Sequence, residues 1–277
     1  MQNKKKPLIS LSLGGGGAKT FAHLGVLDAF KKYNIPIDFL VTCSAASVIG
    51  VLYNLEVSSE EIKKEFKRKR KWIYIVKRSI FKRVLKKFIE KKNIIDIKNL
   101  KIPISIVTVD LKAGREIVFE EGSPLLIPLG SSAYPGIWRP VKYKNYELID
   151  GGVLNPDPAN VARKKVGSDG LVISVTLKMG LVEESTRGRF STVLKSLYLL
   201  SLKYRNKIIE KNSDIILSPI GGLKINFHDW RETFFGYFSN NKIEYYYQKG
   251  FEEAERKIIK IKELIGDKKT IKHYKKF

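Results

Sequence analysis

Three short segments of this sequence carry residue types that could together perform acyl transfer. Four consecutive glycines occupy residues 14–17, Ser44 follows an apolar run, and Asp150 precedes two further glycines. A serine hydroxyl can attack an ester carbonyl, a carboxylate can take up the proton that the serine loses, and the amides of a glycine-rich loop can stabilise the resulting oxyanion. Each segment can equally be a simple turn or a helix cap, so the chemistry depends on whether the fold brings the three together.

The elements around these segments predict that the three do meet. Apolar runs typical of buried strands end at or just before each segment, over Leu8–Leu13, Asp38–Cys43 and Tyr146–Asp150. Helical spacing follows the first two, over Lys19–Tyr33 and Ala45–Leu55. Because sites in parallel α/β sheets form at the carboxyl ends of strands, we expect all three segments at one edge of a sheet.

The rest of the chain continues this alternation of strands and helices. No long linker rich in Pro, Gly or Ser interrupts it, so we predict one domain over residues 1–277, with a largely helical part over 178–277. The predicted fold class is a three-layer α/β/α arrangement with a mainly parallel central sheet. The further strands are Ile104–Val109, Glu116–Glu120, Leu171–Leu177 and Ile215–Ser218, and the further helices are Ser59–Lys92, Pro124–Ser132, Asp157–Lys165, Phe190–Lys211 and Asn241–Leu264.

Taken jointly, the motifs resemble those of the patatin-like phospholipase family. The resemblance rests on Leu11 to Leu27 with its glycine run, on the turn at Ser44, on Ser131 to Val141 (SSAYPGIWRPV), and on Leu148 to Gly152 (LIDGG). Asn155 and Pro158 follow at the spacing of the family. The agreement in order and spacing extends over about residues 7–177, and glycines that are usual in the family are replaced here by Thr20, Thr42 and Ala46.

This resemblance implies a catalytic pair without a histidine. Ser44 would attack the ester carbonyl, Asp150 would accept its proton directly, and the amides of Gly15, Gly16 and Gly17 would form the oxyanion hole. The implied substrate is a phospholipid or another long-chain acyl ester. The implied reaction proceeds through an acyl-serine and needs no metal or organic cofactor.

Several alternatives remain open on the residues alone. A Ser–His–Asp hydrolase would use His228 or His273, whereas His23, within an apolar run, is better explained as a packed histidine. The segment Gly14 to Thr20 also approaches a phosphate-binding P-loop, but Ala18 stands where that motif needs glycine. Cys43 beside the serine is better explained as a small buried residue. A relative with impaired catalysis that binds membranes or nucleic acid is the remaining alternative.

The charge of the chain favours a polyanionic partner. Lys and Arg number 52 against 28 Asp and Glu, and residues 63–92 alone hold 15 basic residues against two Glu. Aromatic residues are interleaved there, which suits the headgroup layer of an anionic membrane and, with less support, nucleic acid. A solvated lysine-rich exterior is the simpler alternative. We therefore predict that region 59–95 is a membrane-facing cap, with these lipid contacts: Lys69, Arg70, Trp72, Lys77, Arg78 and Phe81.

Cysteine content and hydropathy give indications of where the protein is located in the cell. A single cysteine excludes an intrachain disulfide, and the sequence shows no Cys/His cluster typical of a metal site. The basic N-terminus is followed by an apolar run too short for a secretory signal, and no stretch is long and apolar enough for a membrane span. These features predict a cytoplasmic protein that contacts the inner face of a membrane peripherally.

Overall fold

The computed structural model describes residues 6–67, 79–181, 188–225 and 240–266. Its centre is an eight-stranded sheet, and a separate two-stranded sheet pairs Gly180–Leu181 with Lys224–Ile225. The strands are β1 (Ile9–Leu13), β2 (Phe39–Cys43), β3 (Ile104–Asp110), β4 (Arg115–Phe119), β5 (Val141–Tyr143), β6 (Tyr146–Asp150), β7 (Leu171–Val175), β8 (Gly180–Leu181), β9 (Ile215–Leu217) and β10 (Lys224–Ile225).

The central sheet is mainly parallel, with an antiparallel group at one side. The strand order is β5-β6-β3-β2-β1-β7-β9, and β4 pairs with β3 off this path. Strands β3, β2, β1, β7 and β9 run parallel to one another, whereas β4 and β6 run antiparallel to β3. The fold class predicted from the sequence is therefore confirmed.

The direction of β6 differs from the parallel arrangement expected for the strand that carries Asp150. Cys43 at the end of β2 pairs with Val107, and β3 then continues beyond β2 to Asp110. Strand β6 pairs with that overhang in the opposite direction, so that Asp150 ends opposite Thr108. The two strands thus approach the same level of the sheet from opposite directions, because β3 extends past β2.

Helices cover both faces of the sheet because successive strand residues point to opposite sides. Leu40 and Ile106 belong to the larger core with the helices on one face, whereas Val41 and Val107 pack on the other face against Ala162. The helices are α1 (Phe21–Lys32), α2 (Ala45–Asn54), α3 (Ser59–Lys67), α4 (Ser79–Lys92), α5 (Leu126–Ser131), α6 (Ala159–Val166), α7 (Arg189–Asn212) and α8 (Asn240–Leu264).

Helix α8 lies directly on helix α1, at two glycines. A Cβ atom added at Gly25 would stand 2.0 Å from the carbonyl oxygen of Tyr247, and one added at Gly250 would stand 1.8 Å from the carbonyl oxygen of Ala22. Only glycine permits so close an approach of two helix backbones. The C-terminal part of the chain is therefore packed against the helix that follows the glycine-rich loop.

The basic region 59–95 is only partly described, and its described helices pack on the core. Phe81 is 1% exposed and contacts the rings of Phe66 and Trp138 at centroid distances of 5.9 and 5.6 Å. This corrects the prediction that Phe81 contacts lipid, because an amphipathic helix directs its aromatic face to the core when a core is available. The other predicted contacts lie outside the described residues: Lys69, Arg70, Trp72, Lys77 and Arg78.

Many charges of α3 and α4 are engaged in ion pairs within the protein. Lys63 contacts Glu244 of α8 at 2.9 Å, and Glu65 contacts Arg83 at 2.6 Å and Lys87 at 2.7 Å. Over the described ranges, no helix combines the length and the apolar character that crossing a membrane requires. The assignment of residues 1–277 to one domain stays a prediction.

Candidate active site

Ser44 lies at a sharp turn between β2 and α2. Its backbone has φ +59° and ψ −139°, in a region that side-chain-bearing residues seldom adopt, and the turn makes Ser44 the residue before the first turn of α2. Such strain persists only where the surrounding structure enforces it, and it is a hallmark of functional serines at strand-to-helix turns. The residue is 9% exposed, so it is mostly but not fully buried.

The replacement of the usual glycine by Thr42 is accommodated by a glycine on the neighbouring helix. A Cβ atom at Gly50 of α2 would stand 2.9 Å from Cγ2 of Thr42, so the helix can approach the strand only because residue 50 has no side chain. The Thr42 hydroxyl donates a hydrogen bond of 3.3 Å to Ser47, which satisfies its buried oxygen. Ala46 is fully buried in the core.

Ser44 and Asp150 contact each other directly. The hydroxyl of Ser44 donates a hydrogen bond of 2.6 Å to Oδ2 of Asp150, and Oδ1 of Asp150 accepts one of 2.7 Å from the amide of Gly152. The backbone amide of Asp150 donates to the carbonyl of Ala133 at 3.0 Å, which fixes the end of β6. Each carboxylate oxygen therefore has a partner, and one of the two partners is the serine hydroxyl.

Burial makes Asp150 a stronger base than an ordinary aspartate. The residue is 1% exposed, and desolvation raises the pKa of its carboxyl to about 7, against opposing hydrogen bonds from Ser44 and Gly152. A carboxyl with its pKa near 7 can accept a proton from an alcohol at neutral pH far better than one with an ordinary pKa near 4. This shift is of the kind found at sites of acid–base chemistry.

Ser131 holds the turn at Ser44 from the side of α5. Its hydroxyl accepts hydrogen bonds from the amide of Ser44 at 2.8 Å and from the hydroxyl of Ser47 at 2.9 Å, and it donates to the carbonyl of Val107 at 2.7 Å. Ser131 is fully buried. The sequence indicates no role for Ser131 beyond its place in the family-like segment, because its partners Ser44 and Val107 lie far away along the chain.

The glycine-rich loop lies against Ser44, but its three predicted amides are not equivalent. A Cβ atom at Gly15 would stand 3.0 Å from Cβ of Ser44, so the loop backbone lies tightly against the serine. The Gly15 amide donates to the carbonyl of Pro156 at 2.8 Å, so the prediction that it faces an oxyanion is corrected. Within the described part of the chain, no protein acceptor takes the amides of Gly16 and Gly17. These two amides remain candidates for an oxyanion hole.

The histidine and cysteine of this region do not have the contacts of catalytic groups. His23 is fully buried, burial lowers its pKa to about 4, and its Nε2 lies 2.7 Å from the carbonyl oxygen of Gly14, to which the neutral ring donates. Burial raises the pKa of the Cys43 thiol well above its usual range, which disfavours a thiolate. His228 and His273 lie outside the described residues.

Lys19 does not have the character of a phosphate-binding lysine. Its side chain is 5% exposed, and burial, with a smaller contribution from the charge of Arg205, lowers its pKa to about 7. A P-loop lysine must reach a bound phosphate as a full cation. The glycine-rich loop is therefore better suited to the serine beside it than to a nucleotide.

A buried ion pair behind the loop has no counterpart in the sequence analysis. Arg205 of α7 is 4% exposed and Asp157 is 2% exposed, and the two contact each other at 2.5 Å. Burial lowers the pKa of Arg205, but the Asp157 carboxylate more than offsets this and raises it above its usual value. A lone Arg in a helix pattern gives no signal of such a contact, because the pairing depends on the packing of α7.

Comparison with known proteins finds related sequences. Residues 11–126 match the family model described as patatin-like phospholipase. Over 212 residues the chain is 30% identical to human patatin-like phospholipase domain-containing protein 6. The aligned region covers 69% of this chain and 15% of the human protein. The chain is 23% identical over 208 residues to lysophospholipase NTE1 of Candida albicans. That aligned region covers 69% of this chain and 14% of the Candida protein.

A solved structure shows the same fold at low sequence identity. VipD from Legionella pneumophila matches with a TM-score of 0.51 and 12% identity, over 95% of this chain and 67% of that one. At this identity the match concerns the fold alone. The two relatives named above are several times longer than the region they share with this chain.

Proposed function

Because this chain belongs to the patatin-like phospholipase family, we propose that it is a lipid acyl hydrolase in which Ser44 is the nucleophile and Asp150 the base. The proposal names a phospholipase A or long-chain carboxylesterase activity. The single observation that carries it is the 2.6 Å hydrogen bond from the Ser44 hydroxyl to Oδ2 of Asp150, made at a turn with φ +59°. A serine is activated when a base lies within hydrogen-bond distance of its hydroxyl.

In the first half of the proposed reaction, the Ser44 oxygen attacks the ester carbonyl carbon. Its proton passes to Oδ2 of Asp150, and the carbonyl oxygen becomes an oxyanion. Collapse of this tetrahedral intermediate breaks the bond to the leaving alcohol, which takes the proton back from Asp150. The product of this half is an acyl ester on Ser44, with Asp150 again ionised.

In the second half, water replaces the alcohol. Asp150 accepts a proton from the attacking water, a second tetrahedral intermediate forms, and its collapse releases the fatty acid. The Ser44 oxygen then recovers its proton from Asp150. The same carboxyl therefore acts as base and as acid in each half, which its raised pKa of about 7 suits.

The amides of Gly16 and Gly17 are proposed to bind the oxyanion. Both lie in the loop that contacts Ser44, next to the Gly15 position that approaches Cβ of the serine. Each well-placed donor in such a hole contributes about 3–4 kcal/mol to transition-state stabilisation. Because a Ser–Asp pair lacks an imidazole, we expect these donors to provide a large part of the rate enhancement.

The proposed substrate is a phospholipid or another long-chain acyl ester. The relatives are named as a patatin-like phospholipase domain protein and a lysophospholipase, and the chain shares with each only part of that protein's length. Leu154, an apolar residue four positions after Asp150 in the sequence, is 44% exposed. Such a residue suits contact with an acyl chain.

We further propose that the enzyme works on an anionic membrane surface, on the inner face of a membrane. The net charge of +24 supports this proposal, and so do Lys69, Arg70, Lys77 and Arg78 with Trp72 among them. Lys63, Arg83 and Lys87 form ion pairs within the protein, so α3 and α4 have less positive charge available for an anionic membrane. The proposed docking segment is therefore residues 68–78.

Vesicle sedimentation tests the membrane proposal. Replacing Lys69, Arg70, Lys77 and Arg78 together with Gln should weaken binding to anionic vesicles. The matched control removes four exposed charges elsewhere, at Lys98, Lys112, Lys207 and Lys260. Equal loss in both variants would assign binding to net charge alone, and equal binding of wild type to neutral and anionic vesicles would contradict the proposal.

Labelling with a fluorophosphonate probe, together with hydrolysis of a long-chain ester, tests the proposed chemistry. Wild type should label at Ser44 and hydrolyse the ester, Ser44→Ala should do neither, and Asp150→Asn should lose activity by at least about 10³-fold. A wild type that neither labels nor hydrolyses would instead indicate a family member that binds lipid without turnover. Label found on another residue would remove Ser44 from the mechanism.

A further inference from the structure

Two charged residues that the proposed reaction does not use, Arg205 and Asp157, form a cluster that contacts the glycine-rich loop. Arg205 of α7 donates from Nε to Oδ2 of Asp157 at 2.5 Å and from Nη2 to Oδ1 at 3.1 Å. The same Nη2 donates at 3.2 Å to the carbonyl oxygen of Gly15. One guanidinium thus joins the long helix α7, the segment after Asp150, and the loop beside Ser44.

The loop is shaped to receive this cluster. A Cβ atom at Gly14 would stand 1.8 Å from Oδ1 of Asp157, so the carboxylate occupies the space that a side chain would fill. Thr176 donates to Oδ2 of Asp157 at 3.1 Å, and the amide of Gly15 donates to the carbonyl of Pro156 at 2.8 Å. Asp157 and the residue before it, Pro156, therefore contact the two adjacent glycines Gly14 and Gly15.

Stability alone is a poor explanation for this cluster. The desolvation of two buried charges commonly cancels their attraction, and an apolar pair of similar volume is often as stable. A guanidinium, however, has several donors in a fixed plane, which allows one side chain to hold a carboxylate and a backbone carbonyl at once. The arrangement is thus better suited to fixing an orientation than to adding stability.

The orientation it fixes is that of the peptide unit between Gly15 and Gly16. That unit contains the Gly15 carbonyl and the Gly16 amide, and in a trans peptide the two point in opposite directions. By holding the carbonyl towards α7, Arg205 directs the Gly16 amide away from α7. Glycine on both sides gives this peptide unit little intrinsic resistance to flipping.

We propose that Arg205 and Asp157 are positioning residues that keep the Gly16 amide in the oxyanion hole. This inference rests on the proposed function, because it assigns a role in the same reaction. Loss of the contact to the Gly15 carbonyl lets the peptide unit rotate and removes one oxyanion donor from part of the molecules. Such a loss lowers the rate of acylation and leaves binding of the ground-state ester unchanged.

Arg205→Lys is the variant that separates orientation from charge. A lysine keeps a cation beside Asp157 but, with its single ammonium group, cannot reproduce the planar contacts to the carboxylate and to the carbonyl. Arg163→Lys is the matched control, because Arg163 also pairs with an aspartate, Asp214 at 2.6 Å, and donates to backbone carbonyls away from the loop. Arg205→Met with Asp157→Leu provides a folded alternative if the lysine variant is unstable.

The measurement compares kcat, KM and the affinity of two inhibitors. A long-chain trifluoromethyl ketone forms an oxyanion with Ser44, whereas the matching ether is an inert ground-state analogue. Arg205→Lys should lower kcat by about 10–10²-fold and lower the affinity for the ketone by a similar factor. KM and the affinity for the ether should stay within about threefold of wild type. Arg163→Lys should change none of these by more than about threefold.

Two outcomes would overturn the inference, and they differ from failure of the proposed function. The first outcome is that Arg205→Lys matches Arg163→Lys in kcat and in affinity for the ketone. The second is that Arg205→Lys lowers the affinities for the ether and the ketone equally. Either result would show that the cluster supports the fold and not the oxyanion hole. The double variant is judged by the same criteria. If wild type neither hydrolyses the ester nor binds the ketone, the proposed function fails and this inference fails with it.

Discussion

The amide of Ser44 is held by the hydroxyl of Ser131, at 2.8 Å. Ser131 belongs to α5, 87 residues further along the chain, and its hydroxyl also donates to the carbonyl of Val107 in β3. The strained turn at Ser44 is therefore fixed by a residue whose own position is set by the sheet. A backbone conformation such as that of Ser44, with φ +59°, needs support of this kind.

Ser131→Ala should lower kcat by about 10-fold or more and leave KM nearly unchanged. The change removes the acceptor for the Ser44 amide and leaves that buried donor unsatisfied, at a cost of about 1–3 kcal/mol that relaxation of the turn can relieve. The rate of fluorophosphonate labelling measures the effect on Ser44 directly. Ser132→Ala is the control, since its hydroxyl donates only to carbonyls of α5. Equal losses in both variants would show a general effect on α5.

The rate should depend on the ionisation of Asp150. Because desolvation raises the pKa of this carboxyl to about 7, the fraction that is ionised and can act as a base falls as the pH drops below 7. We expect kcat/KM to rise about tenfold per pH unit below pH 7 and to level off above it. The same profile should appear in the rate of phosphonate labelling. A profile that is already flat at pH 5 would show that Asp150 keeps an ordinary pKa.

Asp150→Asn should stabilise the fold at pH 8. A carboxyl whose pKa is raised on folding binds its proton more tightly in the native state, so its contribution to the free energy of unfolding falls between about pH 4 and pH 7 and stays low above. Asparagine carries no charge and can still accept from Gly152 and donate to Ser44. The gain should be on the order of 2–4 kcal/mol at pH 8 and small at pH 4.

Denaturant unfolding of wild type and Asp150→Asn at both pH values measures this gain. Ser44→Ala serves as the control, because it removes the partner hydroxyl and leaves the carboxyl in place. It should show no comparable stabilisation at pH 8. If Asp150→Asn were equally stabilising at both pH values, the effect would not come from ionisation of the carboxyl.

Gly50→Ala should destabilise the protein through Thr42. The added methyl would stand 2.9 Å from Cγ2 of Thr42, and overpacking of this kind costs about 1–3 kcal/mol. In the background of Thr42→Ser, which lacks Cγ2 and keeps the hydroxyl, the cost should be smaller. A double-mutant cycle of unfolding free energies measures the difference. Purely additive effects would mean that α2 moves away from β2 as a whole.

The sequence was most informative where function depends on local backbone form. The Ser44 turn, the glycine-rich loop and the glycines after Asp150 all have short-range signatures, and the fold class followed from strands that alternate with helices. The direction of β6 could not be predicted in this way. Asp150 would follow a strand end in either direction, and only the overhang of β3 past β2 brings it to Ser44.

The residues that sequence reasoning missed act over long distances in the chain. Arg205 contacts Gly15 across 190 positions, and no local pattern records such a pair. The motif predicts the same oxyanion-binding role for all three glycine amides, whereas the hydrogen bond to Pro156 sets the Gly15 amide apart. Phe81 was misassigned because an aromatic residue within a basic helix suits a core and a membrane equally well.

The crossing of α1 and α8 at Gly25 and Gly250 has a consequence for where this chain can be cut. The glycine-rich loop leads into α1, and α1 is covered by a helix that ends at Leu264. A fragment ending at residue 126, where the family match ends, would contain Ser44 but neither Asp150 nor the helix that covers α1. Limited proteolysis should accordingly leave a resistant core that retains α8.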